Sequence, residues 1–155
     1  MASFFKKLFG QSTPKRPAPA PYPEELEEPL PLRTDGIYCR IYEDKNGMMC
    51  NDVFRFFEEG YNISSVVSQT KDNKGYFPKS KWFNSAENND CGRWERKGNR
   101  LTFFVDCGRG NINYKGRIAE DFLLLDSYSE ITQNRCKELK YEFYQFSDIP
   151  GWSDD

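Results

Sequence analysis

The chain has 155 residues, 37% hydrophobic and 16% aromatic, with 22 Lys and Arg against 24 Asp and Glu, a net charge of -2 and a pI near 5.4. That length suits one domain and a tail, and scattered, nearly balanced charges give no field that would draw in nucleic acid. Histidine is absent, which removes Ser-His-Asp triads, Cys-His pairs and imidazole metal ligands, and no run of about 18 apolar residues is present to span a bilayer as a helix.

Residues 1–12 read as a short amphipathic tip. On a helical wheel Phe4, Phe5, Leu8 and Phe9 share one arc with Lys6 and Lys7 opposite, and Gly10 ends the pattern. A helix this short does not hold alone in water, so residues 3–9 would need a membrane surface or a protein groove, with a frayed tail as the alternative. The segment is too short and too charged for a signal-peptide apolar region. Residues 13–31 carry Pro14, Pro17, Pro19, Pro21, Pro23, Pro29 and Pro31 among Glu24, Glu25, Glu27 and Glu28. Such a run sustains neither helix nor ladder, and predicts a disordered, semi-extended Pro/Glu-rich linker.

After Arg33 the text changes to period-2 alternation broken by turn residues, the pattern of half-buried strands. The first strand, 36–43, puts Ile37, Cys39 and Ile41 on one face. Asn46-Gly47 supplies a hairpin turn and residues 48–57 return. A third strand spans 61–69, aligning Tyr61, Ile63, Ser65 and Val67. The long connection 70–90 holds Tyr76, Phe77, Trp82 and Phe83, a cluster placed to plug one end of the fold or to cover a pocket. Strands at 91–97, 100–106 (Leu101, Phe103 and Val105 aligned), 111–118 (Ile112, Tyr114, Gly116 and Ile118), 121–129 and 137–146 (Leu139, Tyr141 and Phe143) complete eight.

Most of the connections are tight turns, so sequence neighbours should pair. The expected fold is all-β: an eight-stranded antiparallel up-and-down meander over 32–147, a closed or nearly closed barrel, behind a Pro-rich arm and before an acidic C-terminal tail at 148–155. Gly36-Ile37-Tyr38, the run Gly92 to Phe103 and the run Gly110 to Gly116 resemble the small bacterial lipocalin-like (calycin) domains, over roughly Leu32 to Phe146. Tyr38 stands where that family carries Trp, and the last strand offers Lys140 in place of Arg. The resemblance implies a barrel whose mouth admits a small apolar molecule, with no catalytic residues to carry over.

Cys39, Cys50, Cys91, Cys107 and Cys136 are odd in number and unevenly spaced, which suits reduced thiols and a cytoplasmic protein, peripheral to a membrane if the tip binds one. No Cys-x-x-Cys is present, so no metal or other cofactor is expected. Cys91 and Cys107 come near each other at the open end of one hairpin, where a conditional disulfide is conceivable. Asp106 and Glu95 are candidates to face each other across strands, and Arg93, Arg96, Trp94 and Tyr114 are available for base stacking, diluted by Glu95 and Glu142.

Two functions follow. One is a noncatalytic lipocalin-like binding module holding a small apolar ligand against Trp82, Phe83, Phe103, Tyr114, Tyr141 and Phe143. The other is a protein-interaction, adaptor or inhibitor module recruited to a membrane surface or partner through Phe4, Phe5, Leu8 and Phe9. An enzyme using only carboxylates, Tyr or Cys has no positive sequence support.

Overall fold

The computed structural model describes residues 28–69 and 90–149. The expectations placed on the tip, on most of the linker, on Trp82 and Phe83 in the long connection and on the end of the tail lie outside those residues.

Eight strands pair in chain order and close into one antiparallel barrel: β1 (Gly36–Glu43), β2 (Met49–Phe56), β3 (Tyr61–Gln69), β4 (Asp90–Lys97), β5 (Arg100–Asp106), β6 (Asn111–Ile118), β7 (Phe122–Ser129) and β8 (Arg135–Gln145). The seam joins β8 to β1 from Gly36 opposite Gln145 to Cys39 opposite Glu142. Closure leaves no sheet edge to cap, which suits a sheet of this strand number. The β1–β2 turn is held by Asp44, whose Oδ1 accepts from the Asn46 and Met48 backbone N–H groups at 2.8 and 2.9 Å.

Inward positions carry the rings. Phe54 is fully buried, its centroid 5.0 Å from Phe103, 5.0 Å from Tyr114 and 4.7 Å from Tyr141. Tyr38 and Phe56 extend the cluster towards one end and Leu101, Val105, Ile118, Leu123 and Leu125 complete it. Edge-on and tilted contacts of this kind fill space densely and add to the burial term.

At that end residues 28–33 cross the barrel as a strap. Leu30 and Leu32 pack on the interior cluster. The turn residue Asn99, buried, accepts from the Leu30 N–H with Oδ1 at 2.6 Å and donates from Nδ2 to the Glu28 carbonyl at 3.5 Å. Arg96 donates to the Leu30 carbonyl, and the Trp94 indole N–H donates to the Phe57 carbonyl at 2.9 Å. A guanidinium does lie against the last strand, but the strap supplies it: Arg33 sits 4.2 Å from the Phe143 centroid and forms a two-pronged bond to Asp35 at 3.0 and 2.8 Å.

The face shared by Ile37 and Cys39 is the outer one, whereas Tyr38 points in. Ile37, Cys39, Val53 and Ile63 form a second cluster outside the barrel, with Ile149 brought onto it by the 3-10 turn Phe146–Asp148. Burial there pushes the Cys39 thiol up to about 12, so it stays protonated and unreactive. Ile41, beyond that cover, is 49% exposed.

The register decides two pairings that the sequence leaves open. Cys91 does lie opposite Asp106, yet Cys91 packs on the outer cluster and Cys107 on the interior one. Thiols on opposite faces of a sheet cannot bridge, and both are free. Glu95 is opposite Thr102 and Asp106 opposite Cys91, so those two acids do not face each other.

Candidate functional site

The structure brings together four of the six residues expected to hold a ligand. Phe103, Tyr114 and Tyr141 are buried and Phe143 packs beside them, all on the inward face. Phe103 and Tyr114 stack at 4.8 Å with their planes 12° apart. Each of these rings is therefore in contact with another ring inside the barrel.

Towards the end opposite the strap, the inward positions turn polar. Asp52 stands on the same face as Phe54 and Phe56, opposite Arg40. The Tyr141 hydroxyl donates to its Oδ2 at 2.7 Å. Burial holds the Asp52 carboxyl above the usual range, only partly offset by that hydrogen bond and by Arg40. Burial likewise raises Tyr141 and Tyr114, and the Asp52 charge adds to both shifts, so neither phenol ionises at physiological pH. This group went unnoticed in the sequence, although a signal was there: a carboxylate two residues before Phe54 on an aromatic face.

A raised carboxyl pKa means that the folded state binds the proton more tightly than the unfolded one. The contribution of Asp52 to stability is greatest below the unfolded pKa and declines as pH rises through the interval up to the folded pKa. Asp52→Asn, which keeps an acceptor for Tyr141, is expected to be more stable than the natural chain at pH 7, with the gap closing as pH falls to the range where the unfolded chain's carboxyl is also protonated. Tyr141→Phe should do the reverse, losing about 1–3 kcal/mol at pH 7 by stripping the buried carboxylate of its donor. Thermal melts of both variants across that pH range measure the two gaps.

A cavity of about 950 Å³ lies elsewhere. It crosses five strands, and its lining follows three parallel rows of the register. The middle row is Trp94, Phe103, Tyr114, Ser127 and Cys136, paired in succession. Their side chains point inward, so from outside this row supplies backbone floor. On one side Glu95, Thr102, Lys115 and Asp126 are paired in succession, with Lys137 next to them on β8. On the other, Phe104, Asn113, Tyr128 and Arg135 are paired in succession, with Arg93 on β4. Both flanking rows have outward parity, and most of their members are exposed. The cavity is thus a groove on the outside of the barrel, walled by two rows of side chains.

Two features shape that groove. Gly92 and Gly116 are inward positions where an added Cβ would fall 1.8 Å from the Phe104 carbonyl oxygen and 1.9 Å from that of Leu124. Both positions admit only glycine because the neighbouring backbone approaches so closely. Asn62, fully buried, donates to the same Phe104 carbonyl at 3.2 Å. On β8, Glu138 adopts a left-handed φ of 58° at a register shift between Leu125 and Ser127, and its N–H donates to Asp126 Oδ1 at 3.0 Å. Arg135 and Lys137, on the N-terminal side of that bulge, both line the groove, and no periodicity count reveals the bulge.

The groove's chemistry is aromatic and basic. Phe104 and Tyr128 are half-buried outward rings, and the Arg135 guanidinium lies 4.4 Å from the Tyr128 centroid. Arg93, Lys115, Arg135 and Lys137 stand against only Glu95 and Asp126 among the described lining residues. The residues available for base stacking do not form one face: Arg93 points outward, while Trp94 and Tyr114 point inward.

No described helix is long and apolar enough to cross a membrane. The closed eight-stranded antiparallel barrel is consistent with a lipocalin-like (calycin) fold. Comparison with protein-family models, with curated proteins and with solved structures found no match.

Proposed function

We propose that this protein is a noncatalytic, lipocalin-like binding module that holds an extended polypeptide across the outer groove of β4 to β8. The observation that carries the reading is the location of the 950 Å³ cavity outside the barrel, while the expected ligand-binding rings Phe103, Tyr114 and Tyr141 pack against Phe54. A small apolar molecule inside would have to part those rings, losing contacts that a shallow groove leaves untouched. A groove walled by outward side chains with aromatic anchors and cations suits a peptide that is apolar at some positions and acidic at others. The Phe4, Phe5, Leu8 and Phe9 tip would serve as a separate point of attachment to a membrane or partner, in a cytoplasmic setting.

The test is selection of random peptides by display on the full chain, with a Lys115→Glu chain in parallel. Selected peptides should be rich in Glu, Asp and apolar residues, and Lys115→Glu should weaken them at least about 10-fold, the loss of one charge pair or more. Peptides that bind both chains equally would overturn the proposal.

A further inference from the structure

The groove has a resident candidate. The strap reaches the barrel at Glu28 and Leu30, both hydrogen-bonded to Asn99 in the turn between β4 and β5. Those two strands carry Arg93, Glu95, Thr102 and Phe104, one end of the groove. Along β5, Thr102 is three residues from Asn99, about 10 Å at strand rise. The residues immediately before Glu28 are Pro23, Glu24, Glu25, Leu26 and Glu27, and five extended residues reach about 16 Å. The chain therefore enters the described fold beside the groove with an acidic, proline-stiffened segment in reach of it.

The complementarity is specific in sign. The side chains of Arg93, Lys115 and Lys137 have no hydrogen-bond or ion-pair partner among the described residues. The acid facing Lys137 is already engaged, since Asp126 accepts from the Glu138 N–H. Glu24, Glu25 and Glu27 flank the apolar Leu26, matching basic side chains that line the groove beside Phe104 and Tyr128. Resting on the reading of this groove as a peptide site, we infer that residues 23–27 of the chain's own arm occupy it, so that an outside acidic peptide binds by displacing them. Tethering a few residues away gives the arm an effective concentration near the millimolar range, high enough to hold a weak segment in place.

The experiment compares amide NMR spectra of the full chain and of a full chain carrying Glu24→Gln, Glu25→Gln and Glu27→Gln. These substitutions change no residue of the eight strands. Expected are shift changes concentrated at 93–95, 102–104, 113–115 and 126–128. Raising salt from about 20 mM to about 500 mM should move the natural chain's groove amides in the same direction, because screening weakens the pairing. Peptides selected on the groove should bind the triple variant about 5-fold more tightly than the natural chain. Unchanged groove amides together with unchanged peptide affinity would overturn the inference. Shift changes that grow with protein concentration would also overturn it, placing the arm in a second copy. If the selected peptides bind and respond to Lys115→Glu while the arm substitutions do nothing, the inference fails and the proposed function stands. If Lys115→Glu is without effect on peptides, the function itself fails.

Discussion

Gly116→Ala is expected to unfold this protein or to cost more than about 3 kcal/mol, because the new methyl has nowhere to go. The ideal Cβ position lies 1.9 Å from the Leu124 carbonyl oxygen and 2.9 Å from the Leu125 Cα. Both obstacles are backbone of the paired strand, opposite Gly116 in a ladder that runs from Ile112 to Ile118. A flexible side chain could swing away; a strand held on its other edge by β8 cannot. Relief would require breaking the β6–β7 ladder. Urea unfolding followed by tryptophan fluorescence measures the effect, and a midpoint equal to that of the natural chain would mean that β6 and β7 do not approach so closely.

Phe54→Ala carries the second large effect. This ring is fully buried and meets Phe56, Phe103, Tyr114 and Tyr141 at 6.2, 5.0, 5.0 and 4.7 Å between centroids. Its removal forfeits the transfer term and leaves a void ringed by aromatics that cannot collapse together without shifting their strands. A loss of about 3–5 kcal/mol follows, a large share of the about 5–15 kcal/mol that holds most domains folded. Phe104→Ala, one position out of phase with the interior row of β5 and half-exposed, should cost far less. The contrast between two phenylalanines of equal size tests the inside-outside assignment directly: similar losses would mean that the groove ring is also core.

Much of the barrel is legible in the sequence because strand period and turn chemistry agree. β1, β3, β5 and β6 have the bounds expected from alternation alone. What alternation cannot say is which of two apolar faces points inward. In β1, Ile37 and Cys39 look like the core face, but Tyr38 takes the interior. Both faces of β1 are apolar because its outside is also covered, by Ile149 and its neighbours after β8. Only tertiary contact across more than a hundred residues decides the matter. The bulge at Glu138 has the same character: β8 starts at Arg135, two residues before the expected position, and the extra residue is visible only against its partner β7.

The convergence of the ring residues was legible in the sequence, and the side chains that share their space were not. Phe103, Tyr114, Tyr141 and Phe143 share a face by simple parity, and they do converge. Whether converging rings leave a pocket depends on the other strands, and Phe54 and Phe56 from β2 reach into the same space. The outer groove was invisible for a related reason. Its two walls are assembled one or two residues at a time from five strands, so no segment of the sequence carries a pattern for it. Asp52 lies between these cases, since its place on an aromatic face was readable and its hydrogen bond to Tyr141 was not.

The measurement closest to the central claim is a crystal structure of the full chain bound to a peptide selected on it. The peptide is expected to lie across β4 to β8 with apolar residues against Phe104 and Tyr128, acidic residues at Lys115 and Arg93, and the Phe54 ring unmoved among Phe103, Tyr114 and Tyr141. A ligand found inside the barrel, with those rings parted around it, would contradict the claim.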